Sequence, residues 1–91
     1  MRVAVHIAGV GEQYTMGSAD YFVIALADSQ ITLPAPQSGR KIVVKTAALG
    51  GGSVAIVPNG GSVDGDADGM SLTFDFSAVC FISDGTDWWI V

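Results

Sequence analysis

The sequence predicts an all-β protein: a small antiparallel β-sandwich or barrel of about eight short strands, forming a single domain over residues 1–91. Three observations predict it. Val and Ile together number 18, against four Leu and one Glu, and β-branched side chains suit a pleated sheet better than a helix. Twelve Gly and three Pro punctuate the chain with turn signals. No segment sustains a 3.6-residue apolar period between helix caps.

The elements follow in order. Residues 2–8 read as a first strand; the apolar stretch resembles a signal peptide only faintly, being short and interrupted by His6. Residues 1–17 form an N-terminal strand or arm, and residues 18–91 form the main module. Within it, residues 21–26, 30–33, 41–46, 53–57, 70–76, 78–83 and 86–91 read as strands. Pro58-Asn59-Gly60-Gly61 offers a fixed φ followed by residues tolerant of positive φ, and Asp84-Gly85 is a hairpin signal before the last strand. In Leu72-Thr73-Phe74-Asp75-Phe76 the alternation places positions 72, 74 and 76 on a buried face. Residues 21–26, 42–44, 78–82 and 88–91 are apolar on both faces. An antiparallel sheet in so small a domain normally leaves one face wet, so these strands predict subunit contact. No repeat of the 20–50-residue kind is visible.

Composition narrows the function. The chain is 49% hydrophobic and 14% charged, against a usual charged share of about 25%. That excludes disorder and leaves too few charges to coat a free surface, which again predicts a homo-oligomer. A net charge of −5 argues against nucleic acid and against an acidic membrane leaflet. The longest apolar run, residues 21–27, is far below the ~20 residues that span a bilayer. The single cysteine, Cys80, excludes an internal disulfide framework and fits a reducing cytoplasm; its apolar neighbours predict a buried, inert thiol.

Four motifs need weighing. Asp64-Gly65-Asp66-Ala67-Asp68-Gly69 reproduces the start of a calcium loop, with Asp75 at the twelfth position. Its flanks read as strands, so we take it as an acidic hairpin loop and keep calcium on Asp64, Asp66, Asp68 and Asp75 as the alternative; no other cofactor is expected. Gly9-Val10-Gly11 and Gly50-Gly51-Gly52 lack the partners that grip phosphate and are turns. His6, the sole histidine, has no evident partner, zinc ligands are lacking, and no nucleophile-base pair can be assembled, so the chain is not read as an enzyme. Trp88 and Trp89 point to opposite faces of one strand, one to the core and the other to an interface or a sugar.

Several segments together resemble a small β-module recurrent in structural proteins of tailed bacteriophages. They are Ile31-Thr32-Leu33-Pro34, then Ser38-Gly39-Arg40-Lys41-Ile42-Val43-Val44-Lys45, then Val54-Ala55-Ile56-Val57-Pro58-Asn59-Gly60-Gly61-Ser62-Val63-Asp64-Gly65, and finally Ser83-Asp84-Gly85-Thr86-Asp87-Trp88-Trp89. The similarity covers residues 21–91. Val63 stands where the family usually has Ile, and the acidic loop after Gly65 is longer. The resemblance implies a trimeric β-structure on the virion exterior: a tail fibre, a head fibre or a capsid decoration protein.

A self-standing chain of this length is more like a capsid cement protein, made in the host bacterial cytoplasm and bound on the capsid exterior. Its expected partners are two further copies of itself and the major capsid protein. Tyr21, Val23, Val79, Phe81, Trp88, Trp89 and Val91 are the expected interface residues, and Arg2, Val3 and Val5 the expected capsid contacts. The alternative is a receptor-binding fibre module, in which Trp88 or Trp89, Tyr14 and Tyr21 would stack on sugar.

Overall fold

The computed structural model describes residues 5–91. It is all-β, with nine strands in two sheets and no helix among the described residues. The strands are β1 (Val5–Ala8), β2 (Gln13–Thr15), β3 (Phe22–Ala25), β4 (Gln30–Thr32), β5 (Lys41–Thr46), β6 (Val54–Val57), β7 (Met70–Leu72), β8 (Ala78–Ser83) and β9 (Trp88–Ile90). One sheet has the order β1-β3-β5-β8-β9 and the other β2-β4-β6-β7.

The first six strands alternate between the sheets, so each strand re-enters its own sheet after one circuit, running the same way. β1, β3 and β5 are parallel, and so are β2, β4 and β6. This corrects the expected antiparallel architecture. Parallel neighbours need a crossover of a dozen or more residues; here the crossover is itself a turn, a short strand in the opposite sheet and another turn. Only β7, β8 and β9 pair antiparallel, and the Asp84-Gly85 hairpin forms as expected between β8 and β9.

The coil also exposes a repeat shorter than those sought in the sequence. Val5 lies beside Phe22 and Gln13 beside Gln30, the same 17-residue step in both sheets. Along that step Ile7 matches Ile24, Ala8 matches Ala25, Gln13 matches Gln30 and Thr15 matches Thr32. β2, the ninth strand, went unpredicted because Gln13-Tyr14-Thr15 has no apolar alternation. It is recognisable only as the counterpart of β4.

Inward-facing residues stack in ladders from one circuit to the next. Val23 lies beside Val44, Ala25 beside Thr46, Ile31 beside Ile56 and Ile42 beside Phe81. All eight are buried, within one core that takes residues from both sheets and also includes Leu33, Val54 and Trp88. Trp88 seals one side of it, with its indole N–H donating to the Pro34 carbonyl at 3.1 Å. The glycines that turn the chain have little freedom to change. Gly69 has φ +88°, and a Cβ there would lie 1.9 Å from the Ile56 carbonyl oxygen.

The other end of the core is closed by polar groups. His6 and Tyr14 face inward from β1 and β2 and stack with ring centres 3.6 Å apart. The His6 Nε2 is 3.1 Å from the Glu12 carboxylate, and the Tyr14 hydroxyl donates to Asp20 at 2.6 Å. The histidine therefore does have a partner, which its sequence neighbourhood did not reveal.

Candidate assembly surface

The two sheets turn very different outer faces to their surroundings. On the four-stranded sheet the outward positions are polar or small except for Val57: Gln13, Gln30, Ala55 and Ser71 in one row, Thr15, Thr32 and Val57 in the next. On the five-stranded sheet a row of apolar side chains crosses β1, β3, β5 and β8. Val5 lies beside Phe22, Phe22 beside Val43 and Val43 beside Cys80. The Val91 N–H donates to the Cys80 carbonyl, which carries the row past β9. A second row runs Ile7, Ile24, Lys45, Ala78, and a third places Ile82 between Lys41 and Trp89. Val5 is 54% exposed, Ile7 60%, Trp89 44% and Val91 70%.

This face has a simple origin in the sequence. The segments at residues 21–26, 42–44, 78–82 and 88–91, apolar on both sides, fall in or around β3, β5, β8 and β9, and the fold collects them into one sheet. Parallel strands carry apolar residues on both sides when both sides are covered. Here the core covers one, and nothing among the described residues covers the other. Among the described residues Lys41 and Lys45 are the charges in its rows, and Lys45 bends its Nζ to the Phe76 carbonyl at 2.9 Å.

The expected interface residues divide accordingly. Trp89 and Val91 lie on the outer face and Tyr21 is exposed beside it. Val23, Phe81 and Trp88 are corrections: all three are fully buried in the chain's own core, because strand parity turns them inward. Val79 is partly buried and packs against that core. The opposition of Trp88 and Trp89 is as expected. Among the capsid-contact candidates Val5 joins the apolar row, while Arg2 and Val3 lie outside the described residues. Cys80 is half-buried on the outer face rather than enclosed in the core. Outward Ile7, Phe22, Ile24 and Val43 were not singled out beforehand; alternation within each strand was the signal, once its inner face was known.

The second expected strand pattern also needs correction. β7 ends at Leu72, and residues 73–77 form a loop in which Phe74 and Phe76 are exposed instead of buried. Asp75 turns its Oδ1 to the Leu49 N–H at 2.8 Å. The four calcium candidates are not brought together. Asp64 accepts from the Ile90 N–H and Asp66 from the Asp68 N–H, so Asp64, Asp66 and Asp75 each serve a separate backbone donor. No group of three or more His, Cys, Asp or Glu among the described residues is placed to hold a metal ion.

Charge at the polar end of the core is locally compensated. Hydrogen bonds from the Gly9 N–H and from His6 hold the Glu12 carboxyl below its ordinary value. Partial burial works to raise Asp20, but the Tyr14 hydroxyl and the Gly17 N–H outweigh it and leave that carboxyl lowered. The same bond from Tyr14 to Asp20 pushes the phenol up to about 12. Beside the outer face, the N–H groups of Asp87 and Thr86 and the indole of Trp89 lower Asp84. The Trp89 ring is thereby fixed, with its N–H 3.0 Å from Asp84 Oδ2. Compared with known proteins, the chain matches no family model and no curated sequence.

Proposed function

We propose that this chain is a bacteriophage virion structural protein: a homotrimeric cement that binds across capsid subunits on the head exterior and braces the shell. The observation that carries the reading is the apolar outer face of the five-stranded sheet, set against the polar outer face of the other sheet. One-sided coverage of that kind describes a subunit with a buried side and a wet side. Three such faces meeting about a common axis would remove the apolar rows from water and leave the Gln and Thr rows outside. Each copy then adds a modest contact to the capsid, and the linked copies hold by avidity. The order of the Leu-Pro, Gly-Arg, Pro-Asn-Gly-Gly and Ser-Asp-Gly segments supplies the phage context.

The aromatic set proposed for sugar stacking is reduced by the packing, since Trp88 is buried and Tyr14 is stacked on His6. The test has two arms. Light scattering behind a sizing column should give a mass near three times 9.4 kDa. Expanded heads stripped of the chain should bind it again and melt at a higher temperature, because a ligand of the assembled state stabilises it. A stable monomer would sink the assembly reading. Binding to a glycan array that disappears in Trp89→Ala, with no binding to heads, would make it a receptor-binding fibre module instead.

A further inference from the structure

The turn Pro58-Asn59-Gly60-Gly61, which leads from β6 towards β7, carries the only asparagine of the chain. Asn59 and Gly60 are both exposed. An Asn side chain followed by Gly can close on the main chain, because the next amide nitrogen lies within reach of its Cγ and no Cβ crowds the approach. Three Asp-Gly pairs offer the same reach: Asp64-Gly65, Asp68-Gly69 and Asp84-Gly85. The structure separates the four. The Gly69 N–H donates to the Asp66 carbonyl at 3.2 Å and the Gly85 N–H to the Ser83 hydroxyl at 3.0 Å, so both nitrogens are tied. Asp64 donates its N–H to the Trp88 carbonyl and accepts the Ile90 N–H on Oδ1, both at 2.9 Å, so its carboxylate is committed. A carboxylate, ionised at neutral pH, is also a poorer target for a nucleophile than a neutral amide. The Gly60 N–H has no hydrogen-bond partner among the described residues, and a Cβ there would meet nothing within 4 Å.

We infer that Asn59 is a site of spontaneous backbone modification, at which the side chain closes on the Gly60 nitrogen and reopens as isoaspartate or aspartate. The Gly60 nitrogen gives its proton to solvent and attacks Asn59 Cγ. The N–Cγ bond forms, the Cγ–Nδ2 bond breaks, and Nδ2 takes up a proton and leaves as ammonia. Water, the sole co-reactant, then splits the cyclic imide. Cleavage at Cγ gives aspartate at position 59; cleavage at the main-chain carbonyl carbon gives isoaspartate, with the chain rerouted through Cγ. Either product adds a negative charge to the −5 of the chain, and isoaspartate also lengthens the main chain by a methylene. The residues beyond have no slack to absorb it. Gly61 packs so closely on the turn before β9 that a Cβ there would overlap the Thr86 carbonyl oxygen. The Ser62 N–H and hydroxyl both donate to Asp87 Oδ1, and the Ser62 carbonyl accepts the Trp88 N–H at 2.8 Å. The isoaspartate form therefore strains the strap that holds Trp88 in the core, and the aspartate form does not.

The test ages the full chain at mildly alkaline pH in heavy-oxygen water, beside its Asn59→Gln and Asn59→Asp variants and a urea-unfolded sample. Every ring opening fixes a heavy oxygen, so peptide mapping by mass spectrometry ranks all four pairs in one experiment. In the folded chain the label should enter at position 59 about ten-fold faster, or more, than at any Asp-Gly pair, since a tied amide and an ionised carboxyl both slow closure. Ammonia release should match that label mole for mole, and Asn59→Gln should lack both. The isoaspartate form, separated by ion exchange, should melt lower than the unaged chain by about 5 °C or more. Asn59→Asp, which has the charge without the added methylene, should melt within about 3 °C of wild type. Faster labelling at any Asp-Gly pair, or labelling at position 59 in the unfolded sample alone, would overturn the site. An isoaspartate form that melts with Asn59→Asp would overturn its strain on the Trp88 strap.

Discussion

Replacing the two adjacent tryptophans by alanine, one at a time, separates the core of this protein from its outer face. Trp88 is fully buried, its indole donates to the Pro34 carbonyl, and its backbone N–H donates to Ser62 at 2.8 Å. Trp88→Ala deletes the largest side chain in the core and strands a buried carbonyl. Truncating a buried Trp costs about 3–5 kcal/mol, and an orphaned acceptor adds about 1 kcal/mol. A domain of this size has about 5–15 kcal/mol in all, and each kcal/mol moves the midpoint by about 4–8 °C. The expected drop is therefore about 16 °C or more. Trp89→Ala removes a ring that is nearly half exposed and one surface hydrogen bond to Asp84, worth within about 0.5 kcal/mol in an isolated subunit. Both should be followed by circular dichroism, since each substitution removes one of the two tryptophan fluorophores, and at several protein concentrations. If the outer face is an interface, the Trp89→Ala deficit grows as the protein is concentrated, because assembly stabilises the wild type by mass action. A Trp88→Ala midpoint within a few degrees of wild type, or a Trp89→Ala deficit as large as that of Trp88→Ala at high dilution, would refute the assignment of inner and outer faces.

Other expectations follow from the same geometry. Val43→Asp places a charge at the middle of the apolar row and should reduce the solution mass to that of one chain without changing the strand signature; an unchanged mass would move the interface elsewhere. The Tyr14 phenol should titrate near 12, followed by its absorbance at 295 nm, and Asp20→Asn should bring it back towards 10. Because the folded value is raised, that bond contributes stability below pH ~10 that is lost as pH rises towards 12. The lowered carboxyls of Glu12, Asp20 and Asp84 act in the opposite sense: they stabilise above pH ~4 and cease to as pH falls below it, so Asp20→Asn should flatten part of the acid limb of a midpoint-against-pH curve. Millimolar calcium should leave the midpoint unmoved, since Asp64, Asp66 and Asp75 each serve separate backbone donors; a rise of several degrees would show that the acidic loop rearranges around the ion. Gly69→Ala should cost more than about 2 kcal/mol in a denaturant titration, as positive φ and a clash with Ile56 act together.

The strand positions were legible because β-branched runs and glycine turns are local signals, and eight of the nine strands fall inside the segments they mark. Pairing direction was not. A turn such as Gly9-Val10-Gly11 looks the same whether the chain doubles back beside its neighbour or crosses to the other sheet, and only the distant return of residue 22 to residue 5 settles it. The 17-residue step was hidden for a related reason. Two circuits agreeing at Ile, Ala, Gln and Thr amount to four matches, visible once register says which residues to compare. Phe74 and Phe76 were misplaced because alternation assumes a strand. What ended the strand after Leu72 is the hydroxyl of Thr46, some thirty residues upstream, capturing the backbone.

The outer face shows how an expectation of subunit contact can rest on a premise that the topology replaces. Apolar residues on both sides of a strand were taken as a departure from the antiparallel rule, and so as a sign of subunit contact. In a parallel sheet the same pattern is the ordinary one, and by itself it would imply only that something covers both faces. Covering layers in parallel folds are usually helices supplied by the crossovers. In this chain the crossovers are spent on the strands of the second sheet, which covers the inner face alone. Among the described residues the outer row through Val5, Phe22, Val43, Cys80 and Val91 is thus left without a cover, on the parallel strands β1, β3 and β5 and on the antiparallel β8 alike. In the assembly we propose, a second copy, related by symmetry and carrying the same face, would supply that cover at no further cost to the sequence.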